Sequence, residues 1–196
     1  MAKVAKTQVL PPAVGVYVSL FTPRDPPAGS KGKPRYSLVL LYPKSKPEVL
    51  DGFRKAALEV AEAKWPGKGA SVVKRMKWPI IADGDERYPD DPTFAGMLFI
   101  RASTQADPQR RPPGVVNAQA KVVMDDGEAY SGCTFRTSVR LFPFDTAGSA
   151  GVGVGLNNVQ VVRQGVRLDG RKNAEDEFKE FAEPEDAAGG GGESLL

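Results

Sequence analysis

The sequence predicts a mainly-β fold: an OB-fold-like, strongly bent barrel of five strands with one α-helix, long loops and a disordered acidic C-terminal tail. Three observations predict it. Strand-like runs recur at five places, a single run has helical spacing, and the segments between them are rich in Pro, Gly and charge. The 196 residues, 41% hydrophobic and 26% charged, suffice for one sizeable core plus an appendage. The expected division is a folded domain over 1–173 and a flexible tail over 174–196.

The first strand is read over 13–21, where Val14, Val16, Val18 and Leu20 alternate with Gly15, Tyr17, Ser19 and Phe21. A turn-rich, basic loop, TPRDPPAGSKGKP, follows it. A second strand, RYSLVLLY, ends at Pro43. Ser45-Lys46-Pro47-Glu48 has capping-box spacing, and Val49, Leu50, Phe53, Ala57, Val60 and Ala61 then recur at helical spacing until Pro66-Gly67 stops the run. Residues 68–95 show no clear period and read as a long excursion. Strands return at 96–102 and 133–142, separated by a polar loop that contains Arg110-Arg111-Pro112-Pro113-Gly114.

The last strand carries the run GSAGVGVGLNNVQVVRQG. Its glycines do not fit a dinucleotide fingerprint, which needs glycine where Leu156 stands and a helix afterwards. Read with period two, Val152, Val154 and Leu156 form one face and Gly151, Gly153 and Gly155 the other. A strand cleared of side chains on one face marks a sharp bend or the close approach of another segment or of a ligand.

Several function classes drop out on composition. With no histidine and Cys133 as the one cysteine, the chain can build no Ser-His-Asp triad, no Cys-His dyad and no disulfide within itself, and the usual zinc ligand sets are missing. No metal or cofactor is expected. No apolar run has the length of a membrane span and the N-terminus has no signal-peptide core, so a soluble protein without membrane contact is expected. The net charge of +3 hides an asymmetry: residues 174–196 hold eight acids against Lys179, a charge of −7, while the other 173 residues hold 26 basic and 16 acidic side chains, a charge of +10. A basic body with an acidic tail is a pattern of polyanion-binding proteins.

The strand 133–142 gives the sharpest local signal. Phe135, Thr137, Val139 and Leu141 make a core face. Arg136, Arg140 and Phe142, with Phe144 beyond the proline, make a basic and aromatic one. Proteins that hold single strands need those parts, cations for phosphates and aromatic planes for unstacked bases; an ordinary solvated sheet face with Phe142 and Phe144 under a loop is the alternative. Phe99 and Arg101 repeat the combination on one face of their strand, and Arg35 opens another. Lys74, Arg75, Lys77 and Trp78 can form a flap over a groove, or Trp78 can be a packing anchor. The acidic run Asp83, Asp85, Glu86, Asp90 and Asp91 admits a magnesium site and hence a carboxylate-dependent nuclease, or simply a solvated turn. A virion or scaffold protein is a third reading.

The run YSGCTFRTSVRLFPFDTAGSAGVGVGLNNVQVVRQGVRLDGRKNAEDEF, with Tyr36-Ser37, Leu40-Leu41-Tyr42-Pro43-Lys44 and Asp83-Gly84-Asp85-Glu86 upstream, resembles a family of bacteriophage single-stranded-DNA-binding proteins with an OB-fold. The resemblance implies a non-catalytic protein that coats exposed single-stranded DNA during phage replication, recombination and repair in the cytoplasm of the infected bacterial host. It also implies a tail that recruits replication proteins such as a polymerase or helicase, here through Glu175, Asp176, Glu177, Phe178, Phe181, Glu183, Glu185 and Asp186. The tail departs from the aromatic terminus expected of such proteins and ends Glu193-Ser194-Leu195-Leu196.

Overall fold

A computed structural model describes residues 5–29, 32–146, 148–168, 170 and 181. Of the tail residues named above, all but Phe181 lie outside the described residues, and Phe181 is exposed.

Eight strands are present among the described residues: β1 (Lys6–Val9), β2 (Ala13–Arg24), β3 (Arg35–Pro43), β4 (Ala82–Asp83), β5 (Met97–Gln105), β6 (Gly114–Val116), β7 (Thr134–Thr146) and β8 (Ser149–Arg163). Pairing runs β7–β2–β3–β5–β8 and closes through β7–β8, so five strands form a ring. These are the five that the sequence predicts. The short β1, β4 and β6, which it does not predict, add to β7, β5 and β8. Within the ring pairing is antiparallel except for β5 and β8, which meet in parallel at Ser103 and Gly155.

The helix α1 (Asp51–Lys64) buries Phe53, Ala56, Ala57, Val60 and Ala61 and packs on β1, β7 and β8. Its apolar stripe joins Leu38, Leu40, Ile100, Phe135, Leu141 and Val152 in the main core. The capping box does not form. The turn before α1, Pro47–Leu50, is a 3-10 turn whose first residue is Pro47, and neither Lys46 nor Leu50 caps with its side chain. The start therefore falls one residue beyond the position where Ser45 acts as cap. Tyr42 belongs to this core and donates its hydroxyl to Pro11 O at 3.1 Å; burial pushes its pKa up.

Two corrections to the sequence reading concern faces. In β2 the alternation does not run through: the register against β3 shifts between Val16 and Ser19, and Tyr17 there has φ 50. Val16 consequently joins a small outer cluster while Val18 and Leu20 pack on the main core. A bulge adds one residue and so reverses parity. The excursion 68–95 is not featureless either. It holds α2 (Gly69–Lys74), β4, α3 (Gly84–Arg87) and a 3-10 turn at Pro92–Phe94. Its Ala82 and Phe94 cover Val16, Val39, Leu41 and Phe99 on the outer face of the sheet.

Thr137 is fully buried on the core face of β7, and its hydroxyl has no hydrogen-bond partner among the described residues. An unpaired buried hydroxyl costs about 1–3 kcal/mol, and a methyl in its place does not. Thr137→Val is expected to raise stability by about 1 kcal/mol, read from the midpoint of urea unfolding.

Candidate nucleic-acid interface

The interface is built from the ladder that carries β3 and β5. Odd positions of both strands face outward, so that Ser37 lies opposite Ser103, Val39 opposite Arg101 and Leu41 opposite Phe99. Arg35 reaches across to donate its Nε to Ser103 Oγ at 3.1 Å. Arg101 donates Nη2 to the Tyr88 hydroxyl at 2.7 Å, and its guanidinium lies 5.9 Å from the Trp78 ring centre. Arg87 lies 4.9 Å from the same ring.

Around this ladder three depressions join. The first, of about 610 Å³, runs from Tyr17, Arg24 and Lys33 to Tyr88. The second, of about 530 Å³, is bounded by Met76, Trp78, Ile80, Phe142 and Phe144. The third, of about 400 Å³, adds Arg110, Arg140 and Asn157. Arg35 and Ser103 line all three, Arg101 the first two and Phe142 the last two, which makes them one groove. Among the described residues Arg24, Lys33, Arg35, Arg101, Arg110 and Arg140 line it with one acid, Asp25, and Arg110 also pairs with Asp107 at 3.5 Å. Among the described residues Arg35, Arg101 and Arg140 form no ion pair. Uncompensated cations crowded along one concave face raise the local concentration of anions.

The glycine strand acquires its explanation here. The Phe142 ring lies across β8, where a β-carbon at Gly153 stands 2.5 Å from Phe142 Cζ and one at Gly155 stands 3.4 Å from Cε1; Met76 occupies the matching space over Gly151. The bare face of β8 is filled by two side chains from elsewhere. Arg140 in turn holds its guanidinium 5.4 Å from the Phe142 ring centre. Gly153→Ala is expected to push Phe142 off β8 and to lower stability by about 1–3 kcal/mol through overpacking, checked by thermal melting together with an oligonucleotide titration.

The sequence-predicted residues divide. Arg35, Trp78, Phe99, Arg101, Arg140, Phe142 and Phe144 all line the groove. Phe99, however, is 4% exposed and packed edge-on to Phe94, so the expectation of an open stacking plane there is corrected: it is part of the floor. Trp78 is 55% exposed, and the anchoring role falls to Ile80 and Ile81, which pack on the main core. Arg136 does not reach the groove. It donates to Gln160 Oε1 at 2.9 Å, and Gln160 itself donates to the carbonyls of Asn117 and Ala118. Arg75 and Lys77 border a separate small depression beside the β7–β8 turn, and Lys74 ends α2.

Three members of the acidic run, Asp83, Asp85 and Asp91, are engaged by local structure. Lys44 pairs with Asp83 at 2.5 Å and Asp85 at 2.6 Å; these contacts hold both carboxyls below their ordinary range and raise the lysine. Asp83 caps α3, and Asp85 accepts from Gly96 N at 2.9 Å. Asp91 bonds Thr93, which lowers its pKa, and accepts the Tyr17 hydroxyl at 3.0 Å. Among the described residues no cluster of three or more acids or cysteines is arranged to hold a metal ion.

Sequence reasoning missed Tyr17, Arg24, Lys33, Tyr88 and Arg110 as site residues. Lys33 and Arg110 sit in loops whose basic character is visible in the sequence, and Arg24 ends β2 within the stretch read as a basic loop, whereas Tyr17 and Tyr88 give no local sign.

A family described as the single-stranded-DNA-binding protein of Enterobacter phage Enc34 matches residues 13–188. The chain belongs to this family. A protein called p50, from Acyrthosiphon pisum secondary endosymbiont phage 1, is 26% identical over 159 residues, covering 79% of this chain and 82% of its own. Among solved structures, the single-stranded-DNA-binding protein of bacteriophage Enc34 in complex with ssDNA superposes with TM-score 0.64 at 21% identity, covering 84% of this chain and 89% of that one. The single-stranded-DNA-binding protein gp2.5 of bacteriophage T7 gives TM-score 0.58 at 17% identity, covering 95% and 100%. At such identities the structural likeness is one of fold. It agrees with the mainly-β closed ring described above for this member of the phage single-stranded-DNA-binding family.

Proposed function

We propose that this chain binds single-stranded DNA without sequence preference and coats it during phage DNA replication, recombination and repair, in the cytoplasm of the infected bacterial host. The groove supports the reading most directly: among the described residues six cations line it, Arg110 alone of them in an ion pair, with Trp78, Phe142 and Phe144 at its walls. Cations neutralise the phosphates of a strand while aromatic faces take its unstacked bases, whatever their identity. Membership of the phage family supports the same conclusion. In this proposal the protein acts by binding and not by catalysis, a reading supported by the engagement of Asp83 and Asp85 with Lys44 and with backbone amides. Among the described residues no helix is long and apolar enough to cross a membrane.

The deciding experiment is a fluorescence-anisotropy titration of labelled single-stranded DNA, duplex DNA and RNA at two salt concentrations, with magnesium and with a chelator. Tight, salt-sensitive binding to the single DNA strand, weaker binding to duplex and an intact oligonucleotide are expected. Salt-independent affinity, equal preference for blunt duplex, or magnesium-dependent cleavage overturns the reading.

Residues 1–173 form the binding domain in this proposal, and 174–196 form an acidic tail that recruits the polymerase or helicase of the phage. A segment of charge −7 tethered to a body of charge +10 sits at high effective concentration beside the groove and competes with DNA for it. Removing 174–196 is expected to raise affinity at low salt, with the gain fading as salt screens the tail. Unchanged affinity in the truncated protein at low salt refutes the competition.

A further inference from the structure

We propose that Tyr17 is a second base-stacking residue, at the opposite end of the groove from Trp78, Phe142 and Phe144, so that a bound strand is gripped at two places joined by Arg35 and Arg101. The inference rests on the single-stranded-DNA reading and extends it to a position that neither the sequence pattern nor the basic patches single out.

The starting observation is backbone conformation. Tyr17 has φ 50, a left-handed value that a bulky side chain adopts only under constraint. The bulge in β2 needs such a residue, and glycine fills that need without strain. The chain instead places an aromatic ring there, and an outlier of this kind points to use of the side chain it presents. The bulge turns Tyr17 outward, where its ring lies nearly parallel to Phe94, at 19° with centres 6.0 Å apart. Its hydroxyl is fixed by Asp91 at 3.0 Å. Behind it Phe94, Tyr88 and Phe99 pack on one another with centres 4.4–5.6 Å apart, and Phe94 is fully buried. The ring so backed and tethered is 46% exposed and lines the groove beside Arg24 and Arg35. A braced, half-open aromatic plane next to guanidiniums that form no ion pair among the described residues is the arrangement that stacks a base while its phosphate is neutralised.

Among the described residues only Arg35, Arg101 and Ser103 line both the Tyr17 compartment and the Trp78 compartment. The two ring systems therefore act on different nucleotides of one strand. Affinity then grows with oligonucleotide length until both ends are filled.

The test compares wild type, Tyr17→Phe, Tyr17→Gly and Tyr17→Asn on oligothymidylates of about 4 to 16 nucleotides, the range of a single fold of this kind. Glycine and asparagine both accept the left-handed backbone, so both ring-less variants are expected to keep the fold, which melting checks. Tyr17→Phe is expected within about twofold of wild type, and the ring-less variants about 5- to 150-fold weaker on the longest oligonucleotides. The ring-less variants should keep the salt slope and reach their affinity plateau at a shorter length. Wild-type length dependence in a folded ring-less variant overturns the proposal while leaving single-strand binding intact. A drop in Tyr17→Phe as large as in Tyr17→Gly also overturns it, because the hydroxyl and not the ring plane is then what matters. Absence of single-strand binding in wild type removes the functional reading and this inference together.

Discussion

Replacing Arg35, Arg101 and Arg140 together with alanine flattens the dependence of log K on log salt by about 2, at about 0.7 for each phosphate of a single strand that is no longer neutralised. At about 50 mM salt this amounts to a few hundred-fold in affinity, fading towards 1 M. The three side chains are exposed, lie along one groove and have no ion-pair partner among the described residues, so their charge is available to a phosphate backbone. For the same reason their removal leaves the core untouched, and each is expected to shift stability by no more than about 0.5 kcal/mol. Arg136→Ala is the internal control. It sits four residues before Arg140 on the same face of β7, but it is bonded to Gln160 outside the groove and should leave the slope unchanged. A triple variant that keeps the wild-type slope, or an Arg136 variant that flattens it, moves the DNA path off this groove.

Gly132→Ala has the largest expected effect on stability. Gly132 has φ 111, a region that side chains avoid, and a β-carbon there lands on the carbonyl oxygen of Val166. The close approach belongs to a clamp that holds the chain after β8 against the body. The Tyr130 hydroxyl donates to Gly165 O at 3.0 Å, Leu168 N donates to Ser131 O at 2.9 Å, and the Arg167 guanidinium lies 3.9 Å from the Tyr130 ring centre. The same stretch ties into β2, since Gly132 N donates to Gly15 O at 2.8 Å and the Ser131 hydroxyl accepts from Val18 N at 3.2 Å. Backbone strain and displacement of the clamp together are expected to cost about 3 kcal/mol or more. In a chain of this length that lowers the melting temperature by roughly 6–12 °C. A variant that melts within a degree or two of wild type shows that the 164–168 segment does not depend on this close approach. The clamp also gives the Tyr130-Ser131-Gly132-Cys133 motif a physical role: it holds the 165–168 segment against the folded body.

The arginine and glycine results bear on different parts of the molecule, and the sequence revealed those parts unequally. The five ring strands and α1 were legible because period-two and helical spacing are local properties, and here they coincide with burial. β7 alternates as read, with Phe135, Val139 and Leu141 fully buried and Arg136 and Arg140 exposed. The charge asymmetry between body and tail follows from composition alone and owes nothing to folding. Tertiary structure decided which of the outward residues meet. Arg136 and Arg140 share a face and a chemistry, and only the neighbours that β8 and the 117–118 turn bring to Arg136 separate them. Phe99 has the parity of an exposed residue, but the 82–94 segment lands on its strand face and buries it, an encounter no local pattern records. Tyr17 is hidden for a related reason. A single bulge reverses the strand's parity, and register is fixed by the partner strand and not by the residues that slip. Periodicity thus showed which side of a regular strand such as β7 leaves the main core. Which of them form a groove depended on long-range packing over the sheet, where burial and strain are settled by segments far apart in the chain.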